Sequence, residues 1–539
     1  MSSTIRRRGP DLLAHSLIGA LAGLNLLALV VAVATCARGQ LAWTAATAAA
    51  VVGLDVLAAL ALRGRERRHV DASARYLQSP AHMTRNTTAG AQRVAEAMGY
   101  GDLGTPGFYL GRSVRGKRDL WGTWEDVYVE ISGTGMGKTT ARAIPNIVTA
   151  PGPVLVTSAN HHVVAATRGI REQRGKTWVF DPQDVSGEPN SWYWSPLSMV
   201  GGDLKDAMSL TGLFISTQRK EHHRADAYFE PAAQTLIAVL MLAADGGDRP
   251  ITDVLKWLRR PDDETPTDIL QGMGGRDLAV DAVRAVTMLP AEQRAGVLGV
   301  ARQYMAWLAV PEIIPWITPG GGREEFPFVK FARESTDTLY VMSRADDKTA
   351  SPAVSALTAA SVVAGQTGSV RMPGGRLRKP LLVVLDDPSN VAQIQFWPTR
   401  YSHFGSRGVI VMTLLQSWSQ GVAVWGANGM AKLWGASSVR GVGGGGSETG
   451  MLGDIATMSG KFEARTVGMS FTPPSVQPSV TLGSRAEGIL DPSDIAGLPR
   501  GRFLIQVSGR RPVLAESVPW TDGPHADAIR ASIAKYARR

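Results

Sequence analysis

The pattern of apolar and polar positions divides the chain into three kinds of segment. Two apolar runs come first, at residues 12–37 and 41–62, and each is long enough to cross a membrane as a helix. Short apolar runs rich in β-branched residues follow and predict buried strands, whereas a helical period replaces them between about 201 and 315. The pattern predicts a membrane hairpin and an α/β domain with an all-α insertion.

The strand-like segments define the α/β domain. An alternating segment, EDVYVEI, and five near-continuous apolar runs are predicted as strands at 125–131, 153–157, 177–180, 381–385, 409–415 and 503–507. Near-continuous apolar runs are typical of a parallel sheet that is covered on both faces. The predicted helices of the insertion are 231–244, 251–258, 278–288 and 291–310. We therefore expect four parts, namely a membrane anchor at 1–70, a first α/β part at 71–200, the insertion at 201–315 and a second α/β part at 316–539.

The charges around the two apolar runs predict their orientation. Arginines stand before the first run, at 6–8, and after the second, at 63, 65, 67 and 68, whereas the connector 38–40 contains one. The positive-inside rule then places both termini in the cytoplasm and makes the protein a two-span protein of the inner or plasma membrane. A cleaved signal peptide is the alternative, but its apolar core is shorter and no second span follows it directly.

Composition narrows the classes of protein. Hydrophobic residues make up 44% of the 539, which excludes wholesale disorder. The single cysteine excludes a disulfide framework and any zinc site built on several thiolates. The net charge of +10 is modest for this length and does not by itself indicate a nucleic-acid partner.

A glycine-rich segment, SGTGMGKTT at 132–140, lies between a predicted strand and a predicted helix. This is the context of a phosphate-binding P-loop, in which backbone N–H groups and a helix N-terminus surround phosphate oxygens. Lys138 would reach the β- and γ-phosphates of ATP, and the Thr139 hydroxyl would bind Mg²⁺. Ser132 departs from the glycine of the strict pattern, and a glycine-rich hairpin is the alternative. The predicted nucleotide-binding residues are Gly133, Thr134, Gly135, Met136, Gly137, Lys138, Thr139 and Thr140.

Two carboxylates follow the predicted strand 381–385. P-loop ATPases hold Mg²⁺ and polarise the attacking water with acidic groups at the tip of such a strand. We therefore predict that Asp386 binds Mg²⁺ and that Asp387 acts as the base, a role that the longer glutamate usually fills. The alternative is an Asp pair that merely starts a turn before Pro388.

The order of these segments resembles the type IV secretion coupling proteins, the conjugative DNA-transfer ATPases of the TraG/TraD family. The similar stretches are SGTGMGKTT at 132–140, WVFDPQ at 178–183, WSPL at 194–197, LLVVLDDPSNV at 381–391, SRGVIVMTLLQSWSQ at 406–420 and ILDPSDIAGLPRGRFLIQVSGRRPV at 489–513. The resemblance covers essentially the whole chain, and the last two stretches are the most specific because a generic P-loop ATPase lacks them.

The resemblance implies a RecA-like P-loop domain interrupted by an all-α insertion and preceded by the membrane hairpin. It further implies that Gln416 senses the γ-phosphate or orders the attacking water, and that Arg407 is an arginine finger acting across a subunit boundary of a homohexamer. The expected partners are a relaxase with single-stranded DNA, the components of a type IV secretion channel and the inner membrane. The glycine run 443–446 is interpreted as a flexible loop.

Three other functions stay open at this point. A double-stranded DNA translocase of the segregation type has a similar motor but normally adds a C-terminal winged helix, for which the 30 or so residues after the last predicted strand are too few. A protein-secretion ATPase would differ only in its cargo. A membrane receptor that docks cargo without hydrolysing ATP would account for the departures at Ser132 and Asp387.

Overall fold

The structure, a computed structural model, describes residues 70–218, 228–470 and 479–537. The fold is that of the compact unit Ala74–Arg539. Both predicted membrane spans, 12–37 and 41–62, lie outside the described residues. Within the described ranges, no helix combines the length and the apolar character that crossing a bilayer requires.

A large mixed sheet forms the centre of the fold. Eleven strands contribute to it, and two further pairs, β6 with β7 and β12 with β13, lie outside it. In chain order the strands are β1 (Phe108–Ser113), β2 (Asp119–Gly122), β3 (Tyr128–Ile131), β4 (Val154–Ser158), β5 (Thr177–Phe180), β6 (Trp192–Tyr193), β7 (Glu324–Glu325), β8 (Thr338–Met342), β9 (Leu381–Asp386), β10 (Val409–Leu415), β11 (Val439–Gly443), β12 (Lys461–Ser470), β13 (Ser479–Gly488), β14 (Arg502–Val507) and β15 (Val513–Glu516).

The strand order across the sheet is β2-β1-β15-β14-β11-β3-β10-β9-β4-β8-β5. The seven strands from β11 to β5 are mutually parallel, which confirms the predicted α/β class. The other four extend the sheet with antiparallel pairings. The expectation that 503–507 joins the parallel part was wrong, because β14 runs antiparallel to β11. A strand covered on both faces has the same apolar pattern in either direction, so the pattern could not distinguish a parallel from an antiparallel strand.

The predicted strand bounds agree closely at 177–180 and 409–415. The strand predicted at 125–131 instead begins at Tyr128. The Asp126 carboxylate accepts hydrogen bonds from the backbone N–H and the hydroxyl of Thr123, each at 2.8 Å. These bonds hold a turn before β3, since an Asp side chain that accepts from nearby backbone competes with strand pairing.

Helices cover the sheet and build the insertion. The helix predicted at 291–310 ends at Tyr304 and is followed by a 3₁₀ turn at Ala306–Ala309. In chain order the helices are α1 (Thr88–Ala97), α2 (Ile144–Thr149), α3 (His161–Arg171), α4 (Leu204–Gln218), α5 (Phe229–Gly246), α6 (Thr252–Arg259), α7 (Thr265–Gly272), α8 (Asp277–Thr287), α9 (Ala291–Tyr304), α10 (Ile314–Ile317), α11 (Phe328–Glu334), α12 (Ser351–Ser369), α13 (Pro388–Val391), α14 (Trp397–Phe404), α15 (Trp418–Ala436), α16 (Thr449–Ser459), α17 (Pro492–Ala496) and α18 (Ala526–Tyr536).

The helices α4 to α9 lie within the range predicted for the insertion, and α10 crosses its end. Its central helix, α5, is apolar around most of its circumference and is buried from Leu236 to Ala244. Such a helix needs neighbours on all sides, and α4, α8 and α9 pack against it. The exact limits 201 and 315 stay predictions.

The sheet order brings the candidate site together. The strands β3, β10, β9 and β4 are consecutive neighbours and parallel, so their carboxyl ends meet at one edge. Buried side chains such as Tyr128, Val156, Val384 and Met412 lie in one apolar core along these strands. Open α/β sheets bind ligands at this kind of edge, beyond the carboxyl ends of the strands.

Candidate active site at the carboxyl edge of the sheet

The segment 132–140 leaves the end of β3 as a tight loop and enters a helix. Gly135 and Gly137 have φ values of 76° and 99°, a region in which side chains with a Cβ are strained. The Lys138 side chain is buried and its Nζ donates to the carbonyl oxygens of Ser132 at 2.5 Å and Gly133 at 3.3 Å. The loop thus has a backbone that only glycine adopts freely and an ammonium group held over its centre.

The helix after the loop begins with a wider turn. Thr139–Ala143 form a π-helical turn, and Pro145 lies at the start of α2. In a regular α-helix the N–H of residue 145 would donate to the Ala141 carbonyl, but proline has none. The Arg142 guanidinium donates to that carbonyl at 3.2 Å instead. The helix thus accommodates Pro145 by a π-turn, a feature that recurs at functional sites.

Ser132 replaces the first glycine of the strict P-loop pattern without backbone strain, because its φ is not positive. Its hydroxyl donates to Glu130 Oε1 at 2.9 Å. A Cβ at Gly443 would lie only 2.2 Å from that hydroxyl oxygen. Glycine on β11 therefore provides the room that the serine needs.

The glycine run 443–446 begins at the end of β11 and packs against the P-loop, and its flexibility stays a prediction. The Gly133 N–H donates to the Gly444 carbonyl at 2.9 Å. A Cβ on Gly133 would lie 2.9 Å from the Cα of Gly445. Two backbones approach this closely only where both lack side chains, so the run supports the loop from β11.

The predicted metal ligands lie together. Thr139 Oγ1 donates to the Asp386 carboxylate, at 3.2 Å from Oδ2 and 3.4 Å from Oδ1. Ser158, at the end of β4, donates to the same Oδ2 at 3.3 Å. Hydroxyl and carboxylate oxygens are the ligands that Mg²⁺ prefers, and Mg²⁺ commonly takes its remaining ligands from phosphates and water. This donor set fits Mg²⁺, and the described part of the chain contains no cluster of three or more acidic, His or Cys ligands that would form a cage independent of nucleotide.

The Asp386 carboxyl is difficult to ionise. Burial, and secondly the charge of the neighbouring Asp387, raise its pKa to about 6, although hydrogen bonds from Thr139 and Ser158 and the charge of Lys138 act in the opposite direction. A cation bound to this carboxylate would lower its pKa, because an opposite charge favours the ionised form.

Asp387 and Gln416 form a hydrogen-bonded pair across β9 and β10. Gln416 Nε2 donates to Asp387 Oδ2 at 2.6 Å, and Thr134 Oγ1 donates to Gln416 Oε1 at 3.1 Å. Asp387 has a left-handed backbone, with φ 51° and ψ 61°, which turns its side chain away from the strand. Its other oxygen, Oδ1, is buried and has no hydrogen bond with the described residues. The P-loop, the second acid and the strand-end glutamine thus form one chain of contacts.

Burial also raises the pKa of Asp387, and the hydrogen bond from Gln416 and the charge of Lys138 oppose that rise. A raised pKa makes a carboxylate a stronger base, which suits it to accept a proton. The unpaired Oδ1 is the atom available for that purpose.

The structure does not bring Arg407 to these residues. Arg407 precedes β10, whereas Gln416 follows it, so about 20 Å of strand separates them. Arg407 Nη1 donates to the Gly375 carbonyl at 3.2 Å, at the opposite edge of the sheet. Arg407 therefore cannot serve the site of its own chain in this arrangement, and its role across a subunit boundary stays a prediction.

One buried ion pair beneath the loop was not predicted. Arg142 Nε lies 3.3 Å from Glu130 Oε2, and both side chains are almost fully buried. The Arg142 guanidinium carbon lies 3.6 Å from the ring centroid of Phe503 on β14. Burial and the Glu130 carboxylate raise the pKa of the adjacent Tyr128 well above its usual value. The segment EDVYVEI predicted a strand, but it did not indicate which residue pairs with Glu130.

We expect Gln416→Ala to slow the predicted ATP hydrolysis by about 10²-fold, the cost of removing one preorganised hydrogen-bond donor from a reaction centre. Because the hydrogen bond from Gln416 lowers the pKa of Asp387, its loss should also move the acidic limb of the pH–rate profile to higher pH. The measurement is steady-state phosphate release as a function of pH. Gln173→Ala, at an exposed glutamine after α3, is the matched control, and a variant with an unshifted limb would contradict the pairing of Gln416 with Asp387.

Comparison with known proteins supports the resemblance inferred from the motifs. A family model described as the TraM recognition site of TraD and TraG matches residues 380–500. A search of curated proteins finds no match. The predicted resemblance to the coupling proteins is therefore confirmed for the segment that carries Asp386, Asp387 and Gln416.

Solved structures with a similar fold include a bacterial conjugative coupling protein. TrwBdeltaN70, in an unbound form, matches with 15% identity and a TM-score of 0.53, over 73% of this chain and 85% of that one. The plasmid coupling protein TrwB in complex with ADP and Mg²⁺ matches with 15% identity and a TM-score of 0.51, over 74% and 86%. TrwB with a non-hydrolysable ATP analogue, ADPNP, matches with 16% identity and a TM-score of 0.51, over 73% and 86%. At these identities the shared property is the fold.

Proposed function

We propose that this chain, which has the fold of the conjugative coupling protein TrwB, is a coupling ATPase of a type IV secretion or conjugation system. One observation carries the proposal: Lys138, Thr139 and Thr134 of the P-loop contact, or lie beside, the carboxylates and the glutamine at the ends of β9 and β10. A P-loop alone would be consistent with nucleotide binding. The Asp387–Gln416 pair adds a group that can orient water and a carboxylate that can accept its proton.

Each side chain has a distinct role in this proposal. Thr139 and Asp386 would hold Mg²⁺, whose charge supports the phosphate oxygens when it is bound. Lys138 would leave the carbonyls of Ser132 and Gly133 for phosphate oxygens, since a charged acceptor binds an ammonium more strongly than a carbonyl does. Asp387 would accept the proton of a water that Gln416 orients.

The proposal extends to location and assembly. The predicted spans 12–37 and 41–62 would anchor the protein in the inner membrane with both termini in the cytoplasm. Motors of this fold complete their sites at subunit boundaries, so we propose a homohexamer. Its cargo would be single-stranded DNA with a relaxase, delivered to the channel of the secretion system. The matched family model, described as a TraM recognition site, supports a partner protein of the relaxosome kind at 380–500.

The proposed role of Arg407 across a subunit boundary can be tested by mixing two inactive variants, because a purely structural arginine would give no recovery of activity. We expect Arg407→Ala to lower hydrolysis by about 10³-fold if it acts as a finger. Mixing Arg407→Ala with Lys138→Ala subunits should then restore part of the activity, because a Lys138→Ala subunit can supply its intact Arg407 to a neighbour with an intact P-loop. The measurement is ATP hydrolysis against mixing ratio. No recovery at any ratio would assign Arg407 to holding the Gly375 carbonyl.

The proposal itself is tested by ATP hydrolysis of the full-length protein in detergent, with and without single-stranded DNA. Turnover that rises with single-stranded DNA supports a coupling motor. A larger rise with duplex DNA would favour the segregation type, and a response to unfolded polypeptide but not to DNA would favour a protein-secretion ATPase. No turnover under any of these conditions would overturn the motor and leave the docking receptor.

A further inference from the structure

Four cationic side chains surround a second cavity, at the amino-terminal ends of β8 and β9. Arg333, Arg371, Arg378 and Lys379 line this cavity, whose volume is about 480 Å³. Three of them belong to residues 370–380 (VRMPGGRLRKP), which connect α12 to β9 and which we call the basic loop. The cavity lies at the edge of the sheet opposite the P-loop, so it is separate from the candidate active site.

The charge around this cavity is not balanced within the described part of the chain. Arg333 Nε donates to the Ala364 carbonyl at 2.9 Å. Among described residues, no carboxylate forms an ion pair with any of the four cations, and Glu334 is the one acidic residue in the lining. Gathered cations without counter-charges repel each other, and an anion in the cavity would relieve that repulsion.

Helix termini account for only part of this arrangement. Arg333 lies in the last turn of α11, and Arg371 lies just after α12, where the helix dipole favours a cation. That effect fades within one turn of the helix end. Lys379 is ten residues beyond Ser369, the last residue of α12. The dipole therefore does not explain why the basic loop continues to place cations around the cavity.

A neighbouring groove adds apolar and aromatic surface. Arg333 also lines this groove, which has a volume of about 590 Å³ and is bordered on one side by α4 of the insertion. Phe328, Val329, Phe396 and Arg400 are exposed or half-buried along it. The Arg400 guanidinium carbon lies 4.9 Å from the Phe396 ring centroid. Cations that follow a backbone, beside aromatic and guanidinium planes on which bases stack, are the features that bind single-stranded nucleic acid.

We propose that the basic loop and Arg333 bind the phosphates of single-stranded DNA, with bases lying in the adjoining Phe396 groove. This inference rests on the proposed function, since it assigns a site to the cargo of that motor. Duplex DNA would engage the cations but not the groove, because its bases are paired and stacked. An anionic membrane would engage the cations through lipid headgroups, and it is treated below as a competing outcome.

The position of the basic loop provides a route to the active site. The loop continues into β9, whose other end carries Asp386 and Asp387 about 20 Å away. The Leu377 N–H donates to the Arg407 carbonyl at 3.0 Å, which ties the loop to the start of β10. Gln416 directly follows the other end of β10, at Leu415. Two adjacent strands thus join the cationic cavity to both halves of the Asp387–Gln416 pair, so DNA bound there could alter hydrolysis without competing with nucleotide.

The test measures binding of labelled single-stranded DNA to the full-length protein in detergent, over a range of salt concentrations. The triple variant Arg371→Gln/Arg378→Gln/Lys379→Gln should bind at least tenfold more weakly. Its log–log salt slope should be shallower by about 2, since each phosphate contact on a single strand contributes about 0.7. The matched control is Arg500→Gln/Arg510→Gln/Arg511→Gln, which removes three exposed cations elsewhere and should keep the original affinity and slope. Equal slopes for both triple variants would overturn the proposal.

Further arms separate the remaining outcomes. Phe396→Leu keeps an apolar side chain but removes the ring, and it should reduce the preference for single-stranded over duplex DNA by about fivefold or more. Lys379→Gln alone, at an exposed position, should show a smaller shift of the slope if the triple variant unfolds. If the triple variant loses binding to phosphatidylglycerol vesicles but keeps DNA binding, the site is one for lipid and the proposal is wrong. Hydrolysis of ATP by the unaltered protein without DNA tests the proposed function separately, because it can persist when DNA binding is absent.

Discussion

Replacing Lys138 by alanine is expected to lower ATP hydrolysis by about 10²-fold or more, the scale of losing a preorganised charge that stabilises a transition state. The ammonium is buried inside the loop, and its hydrogen bonds to described residues are those to the carbonyls of Ser132 and Gly133. No other described cation lies in the loop 132–140, and Arg142 beneath it is paired with Glu130, so neither can replace the ammonium. The measurement is phosphate release at saturating ATP, together with nucleotide affinity.

The pH dependence of the residual activity gives a sharper test of position. The charge of Lys138 lowers the pKa of both Asp386 and Asp387. Removing it should raise both pKa values, so the carboxylates become ionised only at higher pH. The residual activity of Lys138→Ala should therefore require a higher pH than that of the unaltered protein. A uniform loss at every pH would mean that the ammonium does not act on these two carboxylates.

A matched control separates this effect from a general loss of a lysine. Lys256→Ala removes an exposed ammonium on α6 of the insertion, where it pairs with Asp253 at 2.6 Å. The Asp253 carboxylate is buried but keeps its second ion pair, with Arg249 at 2.9 Å. Because this pair lies in the insertion, the variant should hydrolyse ATP at the unaltered rate. If the Lys138→Ala protein retained that rate as well, the P-loop would not be a catalytic site.

The site residues that the sequence could predict are those whose role follows from a short contiguous sequence pattern. Strand, glycine turn, lysine and helix are contiguous at 128–149, and Asp386 and Asp387 directly follow a buried strand. The positions of their elements follow from the rule that parallel strands present their carboxyl ends at one edge. Gln416 needed the family resemblance, because a glutamine after a buried strand has many other uses.

The features that sequence missed are those that depend on distant partners. The strands β1, β2 and β15 join the sheet through antiparallel pairings, and β14 was assigned the wrong direction. Glu130 and Arg142 pair under a ring that comes from Phe503, more than 350 residues later in the chain. Gly443 and Gly445 leave room for Ser132 and Gly133, and a Cβ on Gly444 would lie 2.1 Å from the Leu498 carbonyl oxygen. None of these contacts has a local pattern.

Replacing Asp386 by asparagine is expected to stabilise the metal-free protein at pH 8 while it impairs hydrolysis. Burial raises the pKa of this carboxyl from 3.8 to about 6. The difference of roughly two pKa units corresponds to about 3 kcal/mol, since each unit is worth about 1.4 kcal/mol. Asparagine has nearly the same shape, cannot ionise, and can exchange hydrogen bonds with the Thr139 and Ser158 hydroxyls that now donate to the carboxylate.

The direction of the pH effect follows from the raised pKa. The folded protein holds this proton more tightly than the unfolded chain does, so the stability that the protonated carboxyl contributes is present below about pH 4. It is lost as the pH rises through about 6, the pKa in the folded protein. The advantage of Asp386→Asn should therefore be small at pH 4 and complete near pH 8. Chemical unfolding in the presence of EDTA at the two pH values measures it.

Magnesium and nucleotide should reverse the order of stability. A cation bound by Asp386 and Thr139 favours the ionised carboxylate and stabilises the folded state in proportion to its binding. The unaltered protein should therefore gain stability from Mg²⁺ with ADP, whereas Asp386→Asn should gain much less. Asp262→Asn, at an exposed carboxylate of the insertion, should behave like the unaltered protein in both conditions. If Asp386→Asn were the less stable protein in EDTA at pH 8, the ionised carboxylate would not destabilise the metal-free protein. The assignment of Mg²⁺ to this position would then fail.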